Sequence, residues 1–298
     1  MTPQTISFDE NLEMPPRINV WRRFLRVFIS RKVVIFGAII IAILILVAAL
    51  AELIAPYDPI AQDLRAALQQ PSPAHWLGTD PLGRDILSRI IFGTRTSLAV
   101  GLVSVAIGAL IGMTFGLLAG YFGGIVDTLI MRWVDALLAI PSLMLALALG
   151  VALGGGLTNV MISLGISLIP TYARLMRGQV LTVKQADYII AGEVIGASDL
   201  RVMLAHVLPN CLSPLIVLIT MNLGLAILSE AALSYLGLGI KPPGAAWGAM
   251  VNDGYRYLLT NPLLSFAPGV CVLLVVLAFN LVGDGLRDAL DPRLRGTL

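Results

Sequence analysis

The sequence predicts an all-α membrane protein with six transmembrane helices. Hydrophobic residues make up 57% of the 298 residues, charged residues make up 13%, and the mean hydropathy is +0.88. A soluble domain carries roughly a quarter charged residues, so this chain has too few of them to cover a soluble surface. Several uncharged runs also reach the about 20 apolar residues that a membrane-crossing helix needs.

Six apolar runs predict the spans in order along the chain. The first, VVIFGAIIIAILILVAALA, has no charged residue and exceeds the roughly 7–15 residues of a secretory signal core. It therefore predicts an uncleaved anchor over residues 33–56. Pro141 and Pro170 are expected to kink or break the third and fourth spans. The other predicted spans are 97–122, 125–153, 158–172, 212–239 and 263–282.

Lysine and arginine positions predict the orientation, because cytoplasmic loops of membrane proteins are enriched in these residues. With the N-terminus inside, 14 of the 20 lie on the cytoplasmic side, so both termini are predicted to be cytoplasmic. The tail over residues 1–32 has the composition of an amphipathic surface helix or of a simple positive flank. A periplasmic segment (57–96), a core of five spans (97–288) with a cytoplasmic loop (173–211) and a cytoplasmic C-terminus (289–298) complete the predicted organisation.

The chain lacks the motifs of the common soluble chemistries. A phosphate loop ends in Gly-Lys-Ser/Thr, but none of the three lysines follows a glycine, and neither HExxH nor G-x-S-x-G occurs. Cys211 and Cys271 fall in apolar runs, which is typical of core residues. The sequence therefore predicts no enzyme, no bound cofactor and no metal site, and the net charge of +2 does not indicate nucleic acid. Energy for uphill transport must come from an ion gradient or from another chain.

A polar insert over residues 173–211 separates the fourth and fifth spans. It carries seven charged residues, and each would cost about 2.5–3.5 kcal/mol at the centre of a bilayer. Apolar residues recur among the charges in short amphipathic patterns, which predicts helices lying outside the membrane. Gly192 and Gly196 are expected to share one helix face with almost no side chain, and Pro209 is expected to stop the helix.

The polar insert resembles the cytoplasmic loop of ABC importer membrane subunits, which has the form E-A-A-x3-G-x9-I-x-L-P. The Ala, Gly, Leu and Pro positions of that pattern are present, whereas Ile190 replaces the acidic residue and His206 replaces the isoleucine. The resemblance implies a coupling helix that docks into a groove of an ATPase subunit. The residues implied in this coupling are Ile190, Ala191, Gly192, Glu193, Gly196, His206, Leu208 and Pro209.

Three longer stretches resemble the permeases of dipeptide, oligopeptide and nickel importers, and in particular their DppC-like subunit. They are LGTDPLGRDILSRIIFGTRTSL, AGYFGGIVDTLIMRWVDALLAIPSLMLALAL and LAFNLVGDGLRDALDPR. The resemblance implies a type I ABC importer permease fold in the bacterial inner membrane. It further implies half of a translocation pathway that works by alternating access for di- or oligopeptides, or alternatively for nickel or a glutathione-like compound.

The same resemblance implies the partners of the chain. These are a homologous DppB-like permease, two ATPase subunits (DppD/DppF-like) that bind ATP and Mg²⁺, and a periplasmic or lipid-anchored substrate-binding protein, all within membrane lipid. A secondary transporter driven by an ion gradient is the alternative from another class. It predicts internal repeats and carboxylates near the membrane centre, and it leaves the polar insert without a role.

Two further groups of residues are singled out within the spans. Asp135 and Glu230 are candidate pathway residues, because ionisable groups inside spans are often functional. Asp135 is also three residues from Arg132 and is expected to pair with it, and Glu230 is expected near the outer interface. A stripe of small residues predicts close packing of the second span against a neighbour in this chain or in the second permease; it comprises Gly108, Gly112, Gly116 and Gly120.

Overall fold

The computed structural model describes Phe28 and residues 31–240 and 243–290, and regular structure in these residues is helical. The predicted tail (1–32) and C-terminus (289–298) therefore lie almost entirely outside the described residues. The helices are α1 (Lys32–Ala49), α2 (Ala51–Ile54), α3 (Ile86–Phe122), α4 (Gly124–Leu138), α5 (Ser142–Ala152), α6 (Leu157–Val183), α7 (Asp187–Val194), α8 (Asp199–Val202), α9 (Leu208–Tyr235), α10 (Trp247–Tyr255) and α11 (Leu263–Leu290).

Among the described residues, four helical segments are long and apolar enough to cross a membrane. They are α1, α3, the continuous stretch from α8 through α9, and α11. A fifth span results if α4 and α5 are counted together. The prediction of an all-α, multi-spanning protein is confirmed, and four to five of its spans meet this test of length and hydropathy in the described residues.

The predicted third span is not one straight helix. Helices α4 and α5 are bent by 88° around Pro141, which precedes α5 with φ of −52°. Proline disfavours the helical conformation of the residue before it, so the break at this position is the expected one. Pro170 has a different effect, because α6 runs through it without interruption.

Helices α3 and α6 extend well beyond the apolar runs that predicted them. Helix α3 begins at Ile86 in place of Ser97 and has 37 residues, so it is roughly 55 Å long at 1.5 Å per residue. Helix α6 continues from Leu157 to Val183, past the predicted end at Tyr172. Its second half carries Arg174 and Arg177, which explains why hydropathy alone does not identify α6 as a span.

The glycine stripe of α3 lies against α6 of the same chain. A Cβ atom on Gly112 would lie 2.5 Å from the carbonyl oxygen of Ile169, and one on Gly116 would lie 2.3 Å from that of Ala173. Gly108 and Gly120 face α6 at similarly short range. The two helix backbones therefore approach too closely for any other residue type at these positions.

Residues 57–85 and helix α10 form a folded cap at one end of the bundle, called the cap end below. Asp80 accepts a hydrogen bond from Arg84 Nε at 2.6 Å, and both side chains are buried. Arg89 donates to the carbonyl oxygens of Pro59, Pro243 and Gly244, which joins the cap to the loop before α10. The buried charges at this end of the bundle are thus bonded within the chain.

Candidate coupling surface and translocation groove

The polar insert is folded at the end of the bundle opposite the cap, called the insert end below. Its first residues extend α6, and α7, α8 and a π-helical turn (Met203–Val207) follow before α9. Ile189, Val202 and Val207 are buried in one apolar cluster with Tyr172 and Met176 of α6. One side of the insert therefore belongs to the core of the bundle.

The other side of the insert is apolar and exposed. Val194 and Ile195 have 80% and 83% of their surface exposed, which is unusual for branched aliphatic residues outside a lipid-facing helix. Contiguous exposed apolar residues of this kind mark sites of interaction with other proteins. We call this surface the docking face; it comprises Tyr188, Ile190, Val194, Ile195, Leu200 and Leu204.

Gly196 does not share a helix face with Gly192, contrary to the sequence-based expectation. Helix α7 ends at Val194, and Gly196 has a left-handed φ of +82°. The amide of Ala197 donates to the carbonyl oxygen of Gly192, which is the hydrogen bond of a Schellman cap. Gly196 therefore allows the left-handed backbone conformation that ends α7. A Cβ added at Gly192 would meet nothing within 4 Å.

Pro209 lies at the start of α9 and does not end a helix, so the predicted stop is wrong. The helical stretch from α8 through α9 continues past Pro209, and the π-helical turn directly before it widens the backbone. Leu208 packs against the core cluster, whereas Ala191 and His206 are exposed. Glu193 lies within α7.

Three contacts tie the polar insert, which continues from α6, to Tyr121 at the end of α3. The Tyr121 hydroxyl donates to Asp199 Oδ1 at 3.0 Å, so the last turn of α3 holds the first residue of α8. Lys184, directly after α6, donates to the carbonyl oxygen of Tyr121 at 2.7 Å and lies over its ring. Displacement of the insert must therefore act on both helices.

Sequence reasoning missed Tyr121 and Asp199 because they are 78 residues apart and carry no motif. It also missed the ion pair of Asp127 with Arg177. In this pair Nε and Nη2 of Arg177 donate to the two carboxylate oxygens of Asp127, at 2.5 and 2.6 Å. This pair joins α4 to α6. The sequence does place acidic and basic residues near the same predicted membrane face. That pattern alone does not determine which aspartate pairs with which arginine.

The two candidate pathway carboxylates lie in different environments. Asp135 pairs with Arg174 of α6 at 2.6 Å, in place of the expected Arg132, and both side chains are more than half exposed. Glu230 is 1% exposed and accepts a hydrogen bond from Ser234 at 2.5 Å, so it is paired within the bundle and not exposed. Of the two carboxylates, only that of Asp135 is exposed in this subunit.

A groove runs along the face of α6 that is turned away from α3. One cavity of about 660 Å³ lies between α6, α9 and α11, and a second of about 470 Å³ lies between α6 and the end of α4. The two share Leu175 and Gln179 as walls. We call this combined space the α6 groove; its polar lining residues are Thr171, Arg174, Gln179, Asn210, Ser213 and Arg287.

Two family models match the chain. Residues 112–296, more than half of it, match the binding-protein-dependent transport system inner membrane component, and residues 19–71 match the N-terminal TM domain of oligopeptide transport permease C. The chain belongs to this family of ABC importer permeases. The permease is therefore a multi-pass inner-membrane transport subunit and not an enzyme.

Curated relatives cover nearly the whole permease. It is 45% identical over 276 residues to the glutathione transport system permease protein GsiD of Pectobacterium atrosepticum, with 92% of each chain covered. It is 46% identical over 277 residues to GsiD of Escherichia coli O6:K15:H31, covering 93% of this chain and 91% of the relative.

Solved structures identify the fold. The permease resembles a chain of the MetNI methionine ABC transporter in an inward-facing conformation, with a TM-score of 0.56 and 21% identity, covering 69% of this chain and 98% of that one. A second crystal form of MetNI gives a TM-score of 0.55. The arrangement of helices is thus that of a type I ABC importer permease, as the resemblance implied.

Proposed function

We propose that this permease forms half of the translocation route of an ATP-driven importer for glutathione-like short peptides. The observation that carries the proposal is the docking face, an exposed apolar surface on a segment whose opposite side is buried in the bundle core. A subunit without an energy source needs such a surface to receive work from another chain. The names of the relatives at 45 and 46% identity supply the substrate class.

The topology that fits this role has six spans, with α6 as the fourth. Helix α6 has 27 residues, enough to cross a bilayer, and its contact with the glycine stripe places it beside α3 along much of its length. The excess of arginine and lysine at the insert end supports a cytoplasmic location for that end. Both termini are then cytoplasmic and the cap is periplasmic.

The assembly has four further components. A homologous DppB-like permease completes the route, two DppD/DppF-like ATPase subunits bind ATP and Mg²⁺, and a periplasmic binding protein delivers the peptide. This permease itself binds no nucleotide. The separation of roles agrees with a sequence that has no phosphate loop.

Coupling follows from the contacts of the polar insert. ATP-driven closure of the ATPases moves the docking face, and the Tyr121–Asp199 and Lys184–Tyr121 hydrogen bonds pass that movement to α3 and α6. These two helices move together because their backbones are in close contact along the glycine stripe. Nucleotide shifts the equilibrium between inward and outward states through its different affinity for each.

A di- or oligopeptide substrate is the second candidate. The match of residues 19–71 to the N-terminal domain of oligopeptide permease C favours it. Both substrate classes are short peptides, so they share the mechanism and differ in the binding protein and in the groove that the peptide crosses.

The test is uptake by the complete transporter reconstituted in lipid vesicles. We expect ATP-dependent uptake of radiolabelled glutathione that exceeds uptake of a radiolabelled dipeptide. A preference for the dipeptide would favour the second candidate. Uptake that needs an ion gradient but no ATP would contradict both.

The docking face is tested by introducing a charge into it. Ile195→Asp should reduce co-purification of the ATPases about tenfold or more, because burial of an unpaired charge in an interface costs more than 1.4 kcal/mol. Leu259→Asp is the matched control, since Leu259 is also a highly exposed aliphatic residue but lies at the cap end. Equal ATPase recovery with both variants would remove the docking face from the mechanism.

A further inference from the structure

The α6 groove has the features of a ligand site. Its cavities, about 660 and 470 Å³, fall in the range of about 300–1,000 Å³ found for small-molecule sites. Apolar walls such as Leu175, Val217 and Leu218 surround a small number of polar groups, which is the usual composition of such sites.

One wall of the groove is held firmly in place. Helix α6 buries Tyr172, Met176 and Val180 on its other face, where the α3 backbone approaches most closely. The groove side therefore keeps its position through packing and does not depend on a ligand. A Cβ added at Gly178, on the groove side, would meet nothing within 4 Å, so no side chain narrows the groove at that point.

The charges of the groove select a class of ligand. Arg287 of α11 lines the larger cavity and makes no ion pair with another residue in the part of the chain that the structure describes. At the other cavity Arg174 is already paired with Asp135. Within the described residues, Arg287 thus has no ion-pair partner and lines the same cavity as the Gln179 amide, the Ser213 hydroxyl and the Asn210 amide, which also donates to the carbonyl oxygen of His206. This set of groups complements a carboxylate, which accepts hydrogen bonds from all of them.

The groove also lies where coupling must act. Gln179 is near the end of the helix that leads into the polar insert, and Pro209 and Asn210 begin the helix that leads out of it. The groove therefore lies between the two helices that flank the polar insert.

We infer that the α6 groove holds a carboxylate of the peptide in transit at the insert end, with Arg287 as its cationic contact. This inference rests on the proposed function, since it names where the same substrate binds. Amide groups of Gln179 and Asn210 orient the carboxylate, and the Arg174–Asp135 pair beyond the shared wall faces the rest of the peptide. A glutathione-like molecule, with two carboxylates and one ammonium group, suits this arrangement of charges.

The experiment compares Arg287→Gln with Arg287→Lys in the reconstituted complete transporter. We expect Arg287→Gln to lower the maximal rate of radiolabelled glutathione uptake about tenfold, as loss of a charged hydrogen bond implies. The lysine variant retains the positive charge and should stay within about threefold of the unchanged protein. Arg65→Gln, which removes an exposed arginine of the cap, is the matched control and should leave uptake unchanged.

Additional measurements separate this role from others. The glutathione concentration at half-maximal uptake should not move, because the binding protein sets it, and co-purification of all subunits should be normal. The rate defect should be the same in vesicles of phosphatidylcholine alone and in vesicles that also contain phosphatidylglycerol.

Four outcomes overturn the inference. Uptake by Arg287→Gln equal to that of Arg65→Gln would show that the groove does not contact the peptide while leaving the proposed function intact. Loss of the second permease on purification would make the groove a subunit interface, and a defect confined to vesicles with phosphatidylglycerol would make it a lipid headgroup site. Absence of ATP-dependent uptake by the unchanged transporter would overturn the proposed function as well.

Discussion

At the cap end, Asp80, Arg84 and Arg89 are buried and bonded within the chain, whereas at the insert end Val194 and Ile195 project into open space. The cap is thus complete in one subunit, with its charges paired inside and its turns fixed by backbone hydrogen bonds. The insert hides one side in the core and leaves an apolar side uncovered. A surface of this second kind implies a partner chain, and the contrast separates structure that serves stability from structure that serves assembly.

The largest effect on stability is expected at the cap. Asp80→Asn removes the charge that pairs with the buried Arg84, and loss of one member of a buried ion pair costs about 3–5 kcal/mol. The unfolding midpoint of the purified permease in detergent should fall markedly. Asp58→Asn changes an exposed aspartate of the same segment and should leave the midpoint unchanged; equal midpoints for both variants would refute the structural role of the cap pair.

A smaller loss of stability is expected in the contact between α3 and α6. Gly116→Ala places a Cβ 2.3 Å from the carbonyl oxygen of Ala173, and such overpacking costs about 1–3 kcal/mol. Gly150→Ala adds the same methyl group where the nearest atom is 3.6 Å away, so thermal unfolding of that variant should match the unchanged protein. If the two alanine variants unfold at the same temperature, the helices do not approach as closely as described.

The smallest effect is expected at the junction of the insert with the bundle, and it concerns coupling more than stability. Tyr121→Phe removes the hydroxyl that donates to Asp199, and a hydrogen bond of this kind contributes about 0.5–1.5 kcal/mol. ATPase subunits should still co-purify, but the amount of glutathione taken up per ATP hydrolysed should fall.

Tyr235→Phe serves as the control for that experiment, because Tyr235 lies at the cap end, away from the polar insert. It should preserve the ratio of uptake to hydrolysis. A normal ratio in Tyr121→Phe would show that force passes through the buried apolar contacts of the insert without this hydrogen bond.

Features that depend on neighbouring residues were predictable from the sequence. Uncharged runs located α1, α3, α9 and α11, and Pro141 marked the break between α4 and α5. The small residues of α3 indicated close packing because their spacing of four places them on one helix face. In each case the residues within a few positions of each other were sufficient, because the length of a membrane span and the spacing of a helix face are the same in every chain.

Features that depend on distant contacts were not predictable. Asp135 pairs with Arg174 and not with Arg132, because the assembled bundle brings the end of α4 beside α6. Gly196 was placed on a helix face, yet the helix ends before it and its φ is positive. Hydropathy also undervalued α6, whose arginines are satisfied by Asp127 and Asp135 once the helices are assembled.

In the proposed mechanism, an ATPase subunit covers the docking face in the assembled transporter. The direct measurement is the rate at which a membrane-impermeant maleimide labels Val194→Cys in the isolated permease and in the complete complex, with Leu259→Cys as the control at the cap end. We predict that assembly slows labelling at position 194 at least tenfold, a difference of about 1.4 kcal/mol in accessibility, and that position 259 is unaffected by the ATPases. Equal labelling of Val194→Cys with and without the ATPases would contradict the account.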